Sequence, residues 1–168
     1  MNEKLVMSKE FTAKPYAASK YVVYVCALKE GSSWDITMRR NGWRYFVQGN
    51  IHIVYPDGTE TNLVPQTLLK DTLAEPKSTA FKEVKATVLE DAEWVCYSDI
   101  ENNNVLYPEF TYHKEGDSFG LTVGEDMFLT KGTMTINGKK FIGPVNIRVR
   151  KSDVTCNAIT ECYTFKFE

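Results

Sequence analysis

The segment Thr133–Ile142 reads TMTINGKKFI. Apolar and polar residues alternate on both sides of Asn137-Gly138, and this dipeptide readily adopts the positive φ angles of a two-residue hairpin turn. The segment is therefore predicted to form a β-hairpin. Ile51–Gly58 alternates in the same way before it ends in Asp57-Gly58, and it predicts a second hairpin.

Segments typical of β-strands recur along the whole chain, with turn residues at intervals of roughly 8–12 residues. The further predicted strands are Tyr21–Leu28, Trp34–Met38, Trp43–Val47, Lys82–Val88, Ala92–Ser98, Phe119–Val123, Met127–Thr130, Val145–Arg150 and Ala158–Phe167. Only Pro65–Leu73 is a helix candidate, and it is predicted to be either one or two helical turns or an irregular loop. This pattern predicts an all-β protein, built as a sandwich or barrel with little helix.

The chain of 168 residues is predicted to form a single β-sandwich domain. Residues 1–19 are expected to be an N-terminal arm, 20–98 a first lobe, 99–112 a connection and 113–168 a second lobe. The polar run in Asp99–Asn104 is interpreted as a loop within one domain, since no Pro-, Gly- or Ser-rich linker separates the lobes.

The charge balance and the cysteine content exclude several classes of protein. Twenty Lys and Arg against 22 Asp and Glu leave a net charge of −2, which argues against nucleic-acid binding by bulk charge. No apolar run is long enough to span a bilayer, and residues 1–10 do not resemble a secretion signal. A cytoplasmic protein is expected, without membrane partners. Its four cysteines are then predicted to be reduced structural thiols: Cys26, Cys96, Cys156 and Cys162.

Gly49 and Gly58 bracket a short alternating strand and a tight turn, and this arrangement resembles the first sheet of the cupin jelly roll. The first cupin metal motif has His-x-His, then Glu three or four residues later, and Gly seven residues beyond the Glu. When that glycine is aligned with Gly49, the Glu position holds Gly42. The two His positions then hold Ile36 and Met38, or Asp35 and Thr37.

Gly116 and Gly124 match both glycines of the second cupin motif, which reads Gly, five residues, Pro-x-Gly, two residues, His. The proline position holds Thr122 and the histidine position holds Met127. Over roughly residues 20–168, the resemblance implies a cupin-like β-sandwich of the double-stranded β-helix type, without metal or other cofactor. The spacing of the glycines within residues 116–139 is similar to that in small phage-encoded proteins.

The chain contains two histidines, His52 and His113, which are too few for a typical catalytic metal site with three or four converging ligands. Neither a Gly-x-Ser-x-Gly nucleophile motif nor a glycine-rich phosphate loop is present. Metal-free cupin-like isomerases, by resemblance, would use a His and a Tyr as acid and base. His52 with Tyr45 or Tyr55 could take these roles, although strand alternation turns His52 away from its two isoleucine neighbours.

Two segments are candidates for contacts with a ligand or a partner. Arg39, Arg40 and Trp43 combine cations with an aromatic ring. They could contact phosphate or a glycan, or they could form an ordinary charged hairpin tip. Tyr107 and Tyr112 lie in or beside the predicted connection, where exposed aromatic side chains would mark an interface and buried ones would close the end of the sandwich.

Two functions are consistent with these observations. The favoured prediction is a non-catalytic structural or binding module that forms homo-oligomers and joins other assembly proteins, as in a phage virion. The alternative is a metal-free, cupin-like enzyme or sensor that binds a carbohydrate or nucleotide inside the barrel.

Overall fold

The computed structural model of the chain describes residues 11–18, 21–34, 41–71, 85–99 and 107–167. In these ranges the backbone forms fifteen β-strands and no helix, which confirms the prediction of an all-β protein. Accordingly, the described residues contain no helix long and apolar enough to cross a membrane.

The strands, numbered in chain order, are β1 (Phe11–Ala18), β2 (Tyr21–Leu28), β3 (Ser33–Trp34), β4 (Asn41–Val54), β5 (Glu60–Leu63), β6 (Leu68–Asp71), β7 (Lys85–Asp99), β8 (Glu109–His113), β9 (Ser118–Leu121), β10 (Asp126–Lys131), β11 (Thr133–Ile136), β12 (Lys139–Ile142), β13 (Val145–Arg148), β14 (Val154–Ala158) and β15 (Cys162–Lys166). They belong to two compact units. The first contains the described residues within 1–14 and 24–105, and the second those within 15–23 and 106–168. The boundary at 105/106 falls inside the predicted connection 99–112, whereas the single-domain organisation stays a prediction.

One sheet has the strand order β1-β2-β7-β4-β5, with β3 beside β7 and β6 beside β4. Its central strands are longer than predicted. Trp43–Val47 and Ile51–Tyr55 were expected to form two separate strands. They join in β4, whose pairing with β7 shifts register between Phe46 and Ile51. A β-bulge absorbs extra residues without ending the ladder. Residues 90–93 lie opposite this irregular segment and remain within strand β7.

The core of the first unit lies on one face of this sheet and is rich in aromatic side chains. Trp94 is 2% exposed, and its ring centroid lies 4.8 Å from that of Trp34, 5.6 Å from that of Phe46 and 5.9 Å from that of Phe11. Ile51 and Ile53 are fully buried in the same cluster. Large apolar side chains of this kind stabilise a fold through the area they remove from water.

The segment predicted as a helix or irregular loop, Pro65–Leu73, contains a turn followed by strand β6. Gln66 has a φ of 75°, a left-handed conformation that is incompatible with continuing an α-helix. Leu68–Asp71 then pair with β4 from Tyr45 back to Gly42. Pairing with a neighbouring strand thus overrides the weak local preference for helix, while residues 72 and 73 lie outside the described residues.

The second unit consists of two four-stranded antiparallel sheets, with strand orders β13-β10-β15-β8 and β12-β11-β14-β9. The chain repeatedly crosses from one sheet to the other, which is the jelly-roll topology. Met127 and Leu129 of the first sheet share an apolar core with Met134 and Ile136 of the second. The predicted cupin-like jelly roll is therefore confirmed.

The predicted hairpin at Asn137-Gly138 is present in the second sheet. Asn137 and Gly138 have φ angles of 48° and 80°, and the flanking strands pair from Thr133–Ile142 to Ile136–Lys139. Two successive positive φ angles match the twist of the strands that they join. Local sequence alone therefore specified this turn.

No disulfide joins any of the four cysteines in the structure, and their role as reduced structural thiols stays a prediction. Cys156 and Cys162 are fully buried in the core of the second unit, and Cys26 is buried in the first. Cys96 is half-buried beside the same core as Cys26.

Candidate functional site

The proposed acid–base group of His52, Tyr45 and Tyr55 is not assembled on the core face of the first unit. His52 lies opposite the buried Ile51 and Ile53, and its side chain is 31% exposed. Its Nδ1 is 2.8 Å from Asn62 Oδ1, and its Nε2 is 3.6 Å from Glu60 Oε1.

The two tyrosines lie on different faces of the sheet. Tyr55 packs against the core cluster, whereas Tyr45 is buried in β4 on the face opposite that of its neighbour Phe46. The core face therefore carries Tyr55 without His52, whereas His52 and Tyr45 both lie on the opposite face. Side-chain alternation thus separates Tyr55 from the other two.

The candidate contact residues also differ in their accessibility. Arg39 and Arg40 lie outside the described residues. Trp43 is 0% exposed, so its predicted role as a surface contact is corrected: the side chain lacks the accessible area that a partner needs. Tyr107 is 42% exposed and remains a candidate contact. Tyr112 is half-buried, and its hydroxyl donates to the carboxylate of Glu161, a bond that raises the pKa of Tyr112 to about 12.

His113 is buried inside the jelly roll of the second unit. Its ring stacks on Phe119 of β9 with a centroid distance of 4.1 Å and an interplanar angle of 9°. Its Nε2 is 3.1 Å from the hydroxyl oxygen of Thr164, which is 2% exposed. Burial lowers the pKa of His113, and the charge of Lys166 lowers it further against the opposing effect of Asp117. The imidazole is therefore neutral at pH 7.

An ion pair lies near this histidine. Lys166 Nζ is 3.1 Å from Glu125 Oε2, with side chains that are 36% and 31% exposed. Glu125 also accepts hydrogen bonds from the Thr122 hydroxyl at 2.6 Å and the Thr122 N–H at 3.2 Å. These bonds, the hydroxyl first and then Lys166, lower the pKa of Glu125. The carboxylate is thus ionised and held in place by three donors.

Strand pairing explains why these groups converge. In β15, Cys162, Thr164 and Lys166 point to the same face, and Cys162, which lies in the apolar core, pairs directly with His113 of β8. We call Glu125, Lys166, Thr164 and His113 the polar strip; His113 and Thr164 are buried, whereas Lys166 and Glu125 are about one-third exposed. Burial, followed by the charge of Glu125, raises the pKa of Cys156 to about 11, and the positive charge of Lys166 partly offsets this rise.

Sequence reasoning missed this strip for a physical reason. In Cys162–Lys166 the two aromatic residues Tyr163 and Phe165 alternate with smaller and polar residues, and the aromatic face looks like the core face. Tyr163, Thr164 and Phe165 are in fact all buried. Because both faces of the strand are covered, alternation alone does not reveal which side chains line the interior of the sandwich.

Cupin folds often bind a metal ion, but the side chains that the structure describes do not form a site for one. The position of the motif histidine holds Met127, which is 1% exposed in the apolar core, and the proline position holds the exposed Thr122. Within the described residues, no group of three or more His, Cys, Asp or Glu side chains is arranged to hold an ion. The positions Asp35, Ile36, Thr37 and Met38 lie outside those residues.

The stability of the protein is expected to fall as the pH drops from 7 towards 5, and part of this fall should disappear in His113→Gln. Because the pKa of His113 is lowered in the folded state, the unfolded chain takes up a proton first. The histidine therefore causes no loss above its ordinary pKa of about 6.5 and destabilises progressively below it. Urea unfolding of both proteins across this pH range measures the difference. Identical pH dependences would contradict the burial of this side chain as a neutral imidazole.

Comparisons with known proteins support the fold. No protein-family model and no curated protein sequence matches the chain. Among solved structures, HutD from Pseudomonas fluorescens SBW25 matches with a TM-score of 0.56 and 7% identity, over 94% of this chain and 88% of HutD. YhhW from Escherichia coli matches with a TM-score of 0.53 and 9% identity, over 95% and 92%.

A third structure, Ylba from E. coli, has a TM-score of 0.52 and 11% identity, over 95% of this chain and 83% of that protein. At such low identities the similarity concerns the fold alone. These neighbours are cupin-fold proteins. The chain is therefore a protein with a cupin-like jelly-roll fold.

Proposed function

We propose that the protein binds a small molecule bearing a carboxylate or phosphate at the polar strip in the jelly roll of its second unit. The observation that carries this proposal is the strip itself, in which His113 and Thr164 are buried among apolar core residues and the half-exposed Lys166 follows Thr164 on the same face of β15. Lys166 would hold the oxyanion, and His113 with Thr164 would orient it.

The hydrogen-bonding capacity of the strip favours an anionic, oxygen-rich ligand. A lysine ammonium has three N–H donors, and the bond to Glu125 uses one of those of Lys166. The other two N–H donors of Lys166 can therefore bond to a ligand or to water. The Glu125 carboxylate is already bonded by Thr122 and Lys166, which makes it a poor site for a cationic ligand. Charge-assisted bonds of this kind are about twice as strong as neutral ones.

The position of the strip beside an apolar core also supports a binding role. His113 and Thr164 hydrogen-bond each other at 3.1 Å, which offsets the cost of about 1–3 kcal/mol for burying an unpaired polar group. Ligand pockets typically combine such an apolar lining with a few convergent polar groups. A sugar acid or a sugar phosphate would match both the apolar surroundings and the cation.

Self-association, membership of a larger assembly, a phage origin and a cytoplasmic location remain predictions. The polar strip favours the ligand-binding alternative over the structural module.

Lys166→Met is expected to weaken binding of the preferred oxyanion about 10- to 100-fold, since a hydrogen bond to a charged group contributes about 1.5–3 kcal/mol. His113→Ala should weaken it by about tenfold. Calorimetric titrations with succinate, gluconate, inorganic phosphate and glucose 6-phosphate would distinguish carboxylate from phosphate ligands. Lys140→Met and His52→Ala are matched controls, since these side chains lie outside the strip.

Three results would refute the proposal. One is the absence of binding to all four probes at millimolar concentration, together with the absence of any co-purified small molecule by native mass spectrometry. Another is binding that Lys166→Met and Lys140→Met weaken equally. The third is binding that survives unchanged in Lys166→Met and His113→Ala, provided that both variants unfold cooperatively.

A further inference from the structure

Two cysteines that are distant in sequence meet in the sheet of the first unit. Cys26 Sγ lies 3.7 Å from Cys96 Sγ, although 70 residues separate them. Cys26 pairs with Trp94 and Cys96 pairs with Tyr24, so the two thiols are diagonal neighbours on adjacent strands β2 and β7. Both side chains point to the face that carries the aromatic core.

The two thiols differ in their surroundings. Cys26 is 4% exposed, whereas Cys96 is half-buried. The hydrogen bond between the thiols and the burial of Cys26 raise its pKa well above the ordinary value, against the positive charge of Arg44. Arg44 pairs directly with Cys96 across β4 and β7, and its guanidinium lies 5.2 Å from the centre of the Trp34 ring. Cys96 is thus the more accessible thiol, and the Arg44 guanidinium is a cation beside the pair.

We propose that Cys26 and Cys96 are a redox-active pair that reacts with a hydroperoxide to form a reversible disulfide. In the first step the Cys96 thiolate attacks the peroxide, its sulfur forms a bond to oxygen, and hydroxide leaves with the electrons of the O–O bond. In the second step Cys26 sulfur attacks the Cys96 sulfenic acid, and water leaves with the Cys26 proton. Overall, two thiols and one hydrogen peroxide give one disulfide and two waters.

The diagonal arrangement explains why this disulfide would be reversible. The sulfur atoms must approach from 3.7 Å to about 2.05 Å. Diagonal neighbours on paired strands have Cα atoms about 7–8 Å apart, at or beyond the usual range for a disulfide. Forming the bond therefore strains the strands, and strained disulfides are easier to reduce than structural ones. The bond would link β2 to β7 beside Arg44.

The other two cysteines provide an internal comparison. Cys156 and Cys162 are 0% exposed, and the Cys162 thiol lies 3.3 Å from the carbonyl oxygens of both Thr133 and Thr160, to which it can donate. Burial is the main factor that raises the pKa of each of them. They are expected to remain reduced under conditions that oxidise the pair.

The test is mild oxidation of the reduced full-length protein with hydrogen peroxide, followed by thiol titration of the denatured chain and peptide mapping. The titratable thiols should fall from four to two, with the loss of two hydrogen atoms in mass and a Cys26–Cys96 cross-linked peptide. Dithiothreitol should restore all four. Cys26→Ser should leave a dimedone-reactive Cys96, Cys96→Ala should abolish the reaction, and Cys162→Ser should still form the disulfide.

The proposal fails if four thiols persist at peroxide concentrations that oxidise a known redox-active pair. It also fails if Cys96 oxidises without consuming a second thiol. A mapped disulfide that joins two chains, or that includes Cys156 or Cys162, would refute it as well. Because the Cys26–Cys96 pair lies in the first unit and its oxidation needs no ligand of the polar strip, these measurements are independent of the ligand-binding proposal.

Discussion

Trp94→Ala is expected to lower the free energy of unfolding by about 3–5 kcal/mol, the usual cost of removing a large buried aromatic side chain. Trp94 is 2% exposed and contacts three other aromatic rings, those of Trp34, Phe46 and Phe11. Its removal leaves a cavity that neighbouring strands cannot close without losing their pairing. Urea unfolding followed by far-UV circular dichroism measures the loss.

A loss of this size is a large share of the stability of a typical domain, so Trp94→Ala could fail to fold. Trp94→Phe, with an expected loss of about 1–2 kcal/mol, keeps the prediction measurable. Tyr107→Ala is the control, since that ring is 42% exposed and its loss should change stability by less than about 1 kcal/mol. A loss below that value for Trp94→Ala would contradict the position of Trp94 in the core.

Gly132→Ala should produce the second large effect, a loss of about 3 kcal/mol or more. Gly132 joins β10 to β11 with a φ of 108°, and an added Cβ would lie 2.2 Å from the carbonyl oxygen of Glu161 and 2.8 Å from Cys162 Sγ. Both contacts are shorter than van der Waals distances permit. One of the two atoms belongs to the backbone, so relief requires strand β15 to move.

Gly138→Ala separates the steric cost from the conformational cost. Gly138 has a φ of 80°, but an added Cβ would meet no atom within 4 Å. Only the left-handed backbone then opposes alanine, at a cost of about 1–2 kcal/mol. Urea unfolding of both variants measures the difference, and equal losses would show that the close approach of Glu161 to Gly132 is not a constraint.

Local sequence predicted the elements whose conformations depend on neighbouring residues. The Asn137-Gly138 hairpin is present as expected, because two glycine-like φ angles in succession are specific to such turns. In contrast, Gly49 and the acidic residues 90–93 look like strand ends, yet β4 and β7 run through them. Continuous pairing of two long strands, with bulges at the irregular positions, outweighed those local signals.

The candidate site was less accessible to sequence reasoning than the fold. The alternation of Cys162–Lys166 could have placed Thr164 and Lys166 on one face, but no local feature marks that face as the interior. His113 resembled an ordinary strand histidine because its neighbours in the site, Phe119 and Thr164, belong to other strands. The sequence places Thr122 and Met127 at two positions of the second cupin motif, and the absence of a metal that this implies stays a prediction.

The sequence by itself determined an all-β chain, its tight turns, its near-neutral charge and a cupin-like glycine pattern without the usual ligands, because these follow from residue type and short-range spacing. Only the tertiary structure decided which side chains meet. His113 and Thr164 are 51 residues apart, Glu125 and Lys166 are 41 apart, and Cys26 and Cys96 are 70 apart. Contacts over such separations depend on strand order and register, and a shift of one residue would turn every one of these side chains to the opposite face.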